Sequence, residues 1–138
     1  MYHRAEKSIW RIKVKEIEII KIFFKKINFE LRKNEDNKLD GKIETQINIL
    51  DDDDGSKTKK LIAGVEAEYS DNEYALYANV IGVFGVDKTI FDEKYLDDPE
   101  FQQMLIDPIL KKLSIYVGVL SEGIDGLVRI PDFTIDND

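Results

Sequence analysis

DPEFQQMLIDPILKKLSIYVGVLSEG, residues 98–123, is the stretch around which the rest of the chain is arranged. It opens on Asp98-Pro99-Glu100 and restarts at Asp107-Pro108. Each Asp can cap a helix, and each Pro suits the first helical position, where a missing N–H costs nothing. The spacing predicts a short helix at about 99–106 and a main helix at about 108–122, the latter stopped by a left-handed Gly123. On a helical wheel, Ile109, Leu110, Leu113, Tyr116, Val117, Val119 and Leu120 fill an arc of roughly 180°, interrupted by Lys112. A helix lying on one sheet needs only about 100° of apolar stripe. The excess is either sunk in the core of one monomer or turned toward a sister subunit. A row of small residues, Ser114, Gly118 and Ser121, permits close approach of another backbone. With Leu113 and Val117 it forms the expected oligomer interface, where the helix meets its copy across a two-fold axis.

Upstream, the periodicity changes from helical to alternating. Lys42 to Leu50 reads as a strand with Ile43, Thr45, Ile47 and Ile49 on one face. Leu61, Ala63, Val65, Ala67 and Tyr69 form the inward face of the next strand, with Gly64, Glu66 and Glu68 outward. Tyr74, Leu76, Ala78, Val80, Phe84 and Val86 form a third inward face. The reverse of that strand carries Tyr77, Ile81 and Val83, so it is apolar on both sides. Ile12 to Leu31 is rich in β-branched and aromatic residues, which favours strand over a rival helix at Val14–Lys26. Its period-two pattern slips near Glu16-Ile17, which implies a bulge or a break. Four antiparallel strands followed by helices define an α+β class, with one face of the sheet packed on the main helix. After Gly123 an extended segment through Leu127, Val128 and Ile130 reaches Pro131-Asp132-Phe133. The whole of 1–138 reads as one domain, with a loose segment at 1–10 and an acidic tail at 134–138.

Net charge is −8: residues 1–42 hold a surplus of five positive charges, and the remainder a surplus of thirteen negative ones. That balance argues against general nucleic-acid binding. Glu66, Glu68 and Glu73 mark an acidic surface suited to a basic partner. No Cys is present, which excludes disulfides, thiolate metal sites and Cys nucleophiles. No apolar run reaches the roughly 18–20 residues of a membrane span, and the first residues lack the pattern of a secretion signal. A cytoplasmic protein is the resulting expectation.

Catalytic motifs are not found. The lone histidine, His3, lies in the polar start. If Gly55 held the sixth place of a calcium loop, Leu50 and Leu61 would hold the first and twelfth, where oxygen ligands are required. Asp51 to Asp54 therefore reads as a solvated turn, with no metal site. Glu66 and Glu68 lie roughly 6.5–7 Å apart along a strand, but nothing apolar surrounds them to raise one pKa. Phosphate-binding and nucleophile-elbow patterns are missing. The expectation is a non-enzyme without cofactors.

In order of elements the chain resembles the SecB export-chaperone family. The likeness spans about residues 12–133. It runs through Gly82-Val83-Phe84 at the end of the last strand and Pro108-Ile109-Leu110 at the start of the main helix. It continues through the post-helical glycine and Leu127-x-x-Ile130-Pro131-Asp132-Phe133. The helix lacks the Pro-Tyr-Ala-Arg-Glu-like sequence of typical members. The resemblance implies a homotetramer, a dimer of dimers, acting without ATP to hold unfolded clients or an antitoxin in a toxin–antitoxin system. It also makes a basic segment of an export ATPase a partner for the acidic surface. Phe23, Phe24, Tyr77, Ile81 and Val83 are the surplus apolar residues expected to bind clients. The alternative is a small ligand-binding or enzymatic domain with its pocket between sheet and helix.

Overall fold

Runs rich in β-branched and aromatic residues form the strands β1 (Ile17–Leu31) and β4 (Tyr74–Asp87), and alternating apolar–polar runs form β2 (Asp40–Ile49) and β3 (Thr58–Ser70). They make one antiparallel sheet in the order β1-β4-β3-β2, followed by a single long helix α1 (Pro99–Asp125). The computed structural model describes residues 12–31, 40–50, 55–70 and 74–125. The sequence readings at His3, the Asp51–Asp54 turn, Glu73, the 127–133 segment and the 134–138 tail lie outside these residues. β1 and β2 are consecutive in the chain yet occupy opposite edges, with β4 and β3 in the centre.

One face of the sheet is covered. Leu61, Ala63, Val65 and Ala67 of β3 and Leu76, Ala78, Val80 and Phe84 of β4 are buried against Phe101, Leu105, Ile109, Leu113 and Val117 of α1. Full burial of each large apolar side chain is worth about 1.5–3 kcal/mol, so this layer dominates the stability of the fold. Ile22, Phe24, Ile27 and Phe29 of β1 and Ile43, Ile47 and Ile49 of β2 pack around its margins.

Two expectations about the helix are corrected. It does not break at Asp107-Pro108 but runs unbroken from Pro99 to Asp125. Asp98 caps it, its carboxylate accepting from the Glu100 N–H at 3.2 Å. Asp107 instead accepts from the Gln103 side-chain amide one turn earlier. Pro108 has no N–H for the carbonyl of Met104, at a cost of about 3 kcal/mol. Phe101, Leu105 and Ile106 before it and Ile109, Leu113 and Val117 after it are buried together, which outweighs that cost several times over. Gly123 likewise lies within the helix and does not stop it. The phase slip near Glu16-Ile17 is a 3-10 turn at Val14–Glu16, while β1 itself carries two bulges, between Ile19 and Lys21 and between Phe24 and Lys26.

Candidate functional site

Because strand neighbours alternate in face, Phe23 and Phe24 point to opposite sides of the sheet. Phe24 meets Tyr116 of α1 edge-on, with ring centroids 4.7 Å apart. Phe23 lies on the uncovered face, 40% exposed and paired with Ile81. Of the five expected client-binding residues, Phe23, Tyr77 and Ile81 share that open face. Val83 shares it too but is only 7% exposed, closed over by its neighbours, and so is corrected from a contact residue to a packing one. Phe24 is corrected to the helix side.

Four of the five residues expected to form the oligomer interface are turned inward, and Ser114 is half-buried. Leu113, Val117 and Ser121 are fully buried in the protomer, and Gly118 is buried beside them. The hydroxyl of Ser121 donates to the Gly118 carbonyl at 2.9 Å, and that of half-buried Ser114 to the Leu110 carbonyl at 3.0 Å. The small-residue row therefore serves packing within the protomer, because the apolar arc faces the helix's own sheet. Exposed apolar residues lie elsewhere on α1: Ile115 at 53%, Tyr116, and Val119 at 62%.

These exposed residues continue onto β1. Lys112 donates to the carbonyl of Ile22 at 2.5 Å and lies over the Tyr116 ring. Exposed Ile19 lies on this side of the edge strand, whereas Ile20 turns to the open face, its Cδ1 3.5 Å from where a Cβ on Gly85 would sit. Ile17, Ile19, Met104, Pro108 and Lys111 line a groove of about 300 Å³ between strand and helix. The result is an apolar flank, formed by β1 and the outer side of α1. Sequence reasoning missed it because the 180° arc does not say which edge the sheet leaves uncovered. Its signal was Ile115, an apolar residue left outside that arc.

The open face carries both signs: Glu18, Lys21, Lys26 and Glu30 lie on β1, and Lys42, Glu44, Lys60, Glu66 and Glu68 on β2 and β3. Glu44 and Glu66 stand directly opposite each other. Lys42 holds Glu44 at 2.8 Å, and its pKa is raised by that hydrogen bond and by the charge of Glu44. Lys26 lies over the Tyr77 ring, whose hydroxyl is pushed up by burial and then by the charge of Glu66. Glu66 and Glu68 lie on one face of β3, with Lys42 directly opposite Glu68. Among the described residues, no group of three or more His, Cys, Asp or Glu side chains is placed to hold a metal ion, and no helix is long and apolar enough to cross a membrane.

No family model and no curated protein matches the sequence. Solved structures share its architecture. A protein of unknown function from Streptococcus agalactiae superposes with a TM-score of 0.69 at 14% identity, over 86% of this chain and 98% of that one. The SecB-like chaperone of Mycobacterium tuberculosis, solved with a ChAD peptide from the HigA1 antitoxin, superposes with a TM-score of 0.51 at 8% identity, over 96% and 98%. The four-stranded antiparallel sheet followed by one long helix is therefore a SecB-like fold.

Proposed function

We propose that the protein is an ATP-independent holdase that carries extended, aggregation-prone polypeptide along the flank formed by β1 and α1. The observation that supports this most is the set of exposed apolar side chains there: Ile19 on an edge strand, and Ile115, Tyr116 and Val119 on the helix above it. A flank of this kind suits a chain that adds its backbone to a strand edge and places alternate side chains on an apolar surface. It needs no nucleophile, metal or cofactor. The antitoxin peptide on the mycobacterial chaperone makes an antitoxin one client class, in keeping with the fold. The rival reading requires a polar-lined pocket between sheet and helix. The centre of that space is filled by Phe84, Ile109 and Leu113, each fully buried, and the groove at its β1 edge is lined mainly by apolar side chains. The assay is suppression of aggregation of a chemically denatured test protein. Suppression at a stoichiometric ratio is expected, and no suppression at any ratio would end the proposal.

A further inference from the structure

The strand order β1-β4-β3-β2 leaves β1 with a free edge beside the helix flank. Register fixes which backbone groups reach that edge. The Lys88 N–H donates to the Lys57 carbonyl at 3.0 Å, so Lys88 turns its backbone groups to β3. In an antiparallel ladder that direction alternates residue by residue. β4 pairs β3 without a register shift, so Gly82 and Val80 also turn to β3. Their partners on β1 are Ile22 and Phe24, whose own N–H and C=O groups therefore point away from β4, to the free edge. One of these groups is already taken. The Lys112 ammonium donates to the Ile22 carbonyl at 2.5 Å and lies 5.9 Å from the Tyr116 ring centroid. The unmatched residues Ile20 and Lys25 bulge on either side of this piece of strand. The edge is thus cut in three, and Lys112 closes the middle part. Bulges and lysines are the devices that keep an edge strand from indiscriminate pairing.

We propose that Lys112 guards the edge of β1: it holds the Ile22 carbonyl until an extended client takes that carbonyl with a backbone N–H of its own. The inference rests on the holdase reading, and adds to it where the client pairs and what it must displace. A strand added at this point bonds to Ile22 and Phe24 and lies beside the contact between Phe24 and Tyr116. Entry costs the protein one charge-assisted hydrogen bond, which a client N–H replaces. Proline has no N–H and cannot make the exchange. The client class is therefore an extended segment poor in proline. A compact protein, whose N–H groups are already paired, is refused at the same point.

The test uses the full chain and a labelled peptide of alternating valine and threonine. A second version, N-methylated at every residue, keeps the side chains but has no N–H to offer. K112M, checked by circular dichroism for a native-like spectrum, should bind the unmodified peptide about tenfold more tightly than wild type, because no bond has to be displaced. Its affinity for the N-methylated version should match that of wild type. In wild type, which needs no variant to fold, the unmodified peptide should slow amide exchange at Ile22 and Phe24. If Lys112 only ties helix to strand, its loss loosens the flank and shifts both peptides alike. Equal shifts, an affinity of K112M that is unchanged or lower, or exchange protection confined to α1 would each overturn the proposal. Aggregation suppression by wild type is read beside these results. A wild type that suppresses aggregation while K112M gains nothing overturns the guard and leaves the holdase reading standing. A wild type that neither suppresses aggregation nor binds either peptide overturns both.

Discussion

A Cβ placed on Gly82 would lie 2.7 Å from the Phe84 ring and 2.9 Å from the Ile109 Cδ1. The glycine lets the helix settle onto the centre of β4, and its neighbours on both sides are rigidly buried. G82A should therefore destabilise the fold by about 1–3 kcal/mol through overpacking, read by urea denaturation. G64A is the control: its Cβ would make ordinary contact with Ile81, and it should move stability by less than about 0.5 kcal/mol. In the sequence, Gly82 is legible only as part of a family-like tripeptide, because its role depends on a helix that arrives from residues further along. A second residue-scale prediction concerns Asp87. Its carboxylate accepts from the Thr89 N–H at 2.9 Å and from the Thr89 hydroxyl at 2.8 Å, which holds it below the usual carboxylate range. A folded pKa below the unfolded one means that this turn adds stability above the usual carboxylate range. That stability is lost as pH falls through the lowered value. In T89V the Asp87 titration, followed by NMR, should move back toward the ordinary value.

At the scale of elements, local signals and tertiary packing disagree in instructive places. The inward faces of β3 and β4 are legible as strict alternation, since burial on one side imposes a period of two. The bulge between Phe24 and Lys26 is also written in the chain, as the change from Ile22 and Phe24 to Ile27 and Phe29. A single slip near Glu16-Ile17 masks it, because the alternation on either side of Lys25 is too short to fix its own phase. Asp107 offers a second cap worth about 1 kcal/mol, and the shared core under Asp107-Pro108 outweighs it, leaving one helix. Strand order was not legible, because which edges pair is decided by how the layer closes on the helix. Between its two bulges, β1 is tied to the helix by Lys112, which donates to the Ile22 carbonyl. Replacing that lysine in K112M keeps the apolar stem and removes the bond. The expected cost is about 1–2 kcal/mol, with faster amide exchange confined to residues around 21–25 and β3 unaffected.

For the whole molecule, the apolar surplus seen in the sequence is real but lies elsewhere than expected. Tyr116 and Val119 stand out from the helix flank, while Leu113 and Val117, on the same predicted arc, are consumed by the protomer's own sheet. Of the residues expected to bind clients, Phe23, Tyr77 and Ile81 belong to the open sheet face, and only Phe24 touches the β1–α1 flank. A wheel and an alternation pattern identify apolar residues; only the assembled layers decide which of them water still reaches. The account's central claim is that the flank holds clients. The most direct measurement compares wild type with I115D/V119D in stoichiometric suppression of aggregation. Both side chains are more than half exposed, so the variant should keep a native-like circular dichroism spectrum and melting temperature. The account predicts that its suppression is lost while its fold is retained; suppression equal to wild type in a folded I115D/V119D would contradict it.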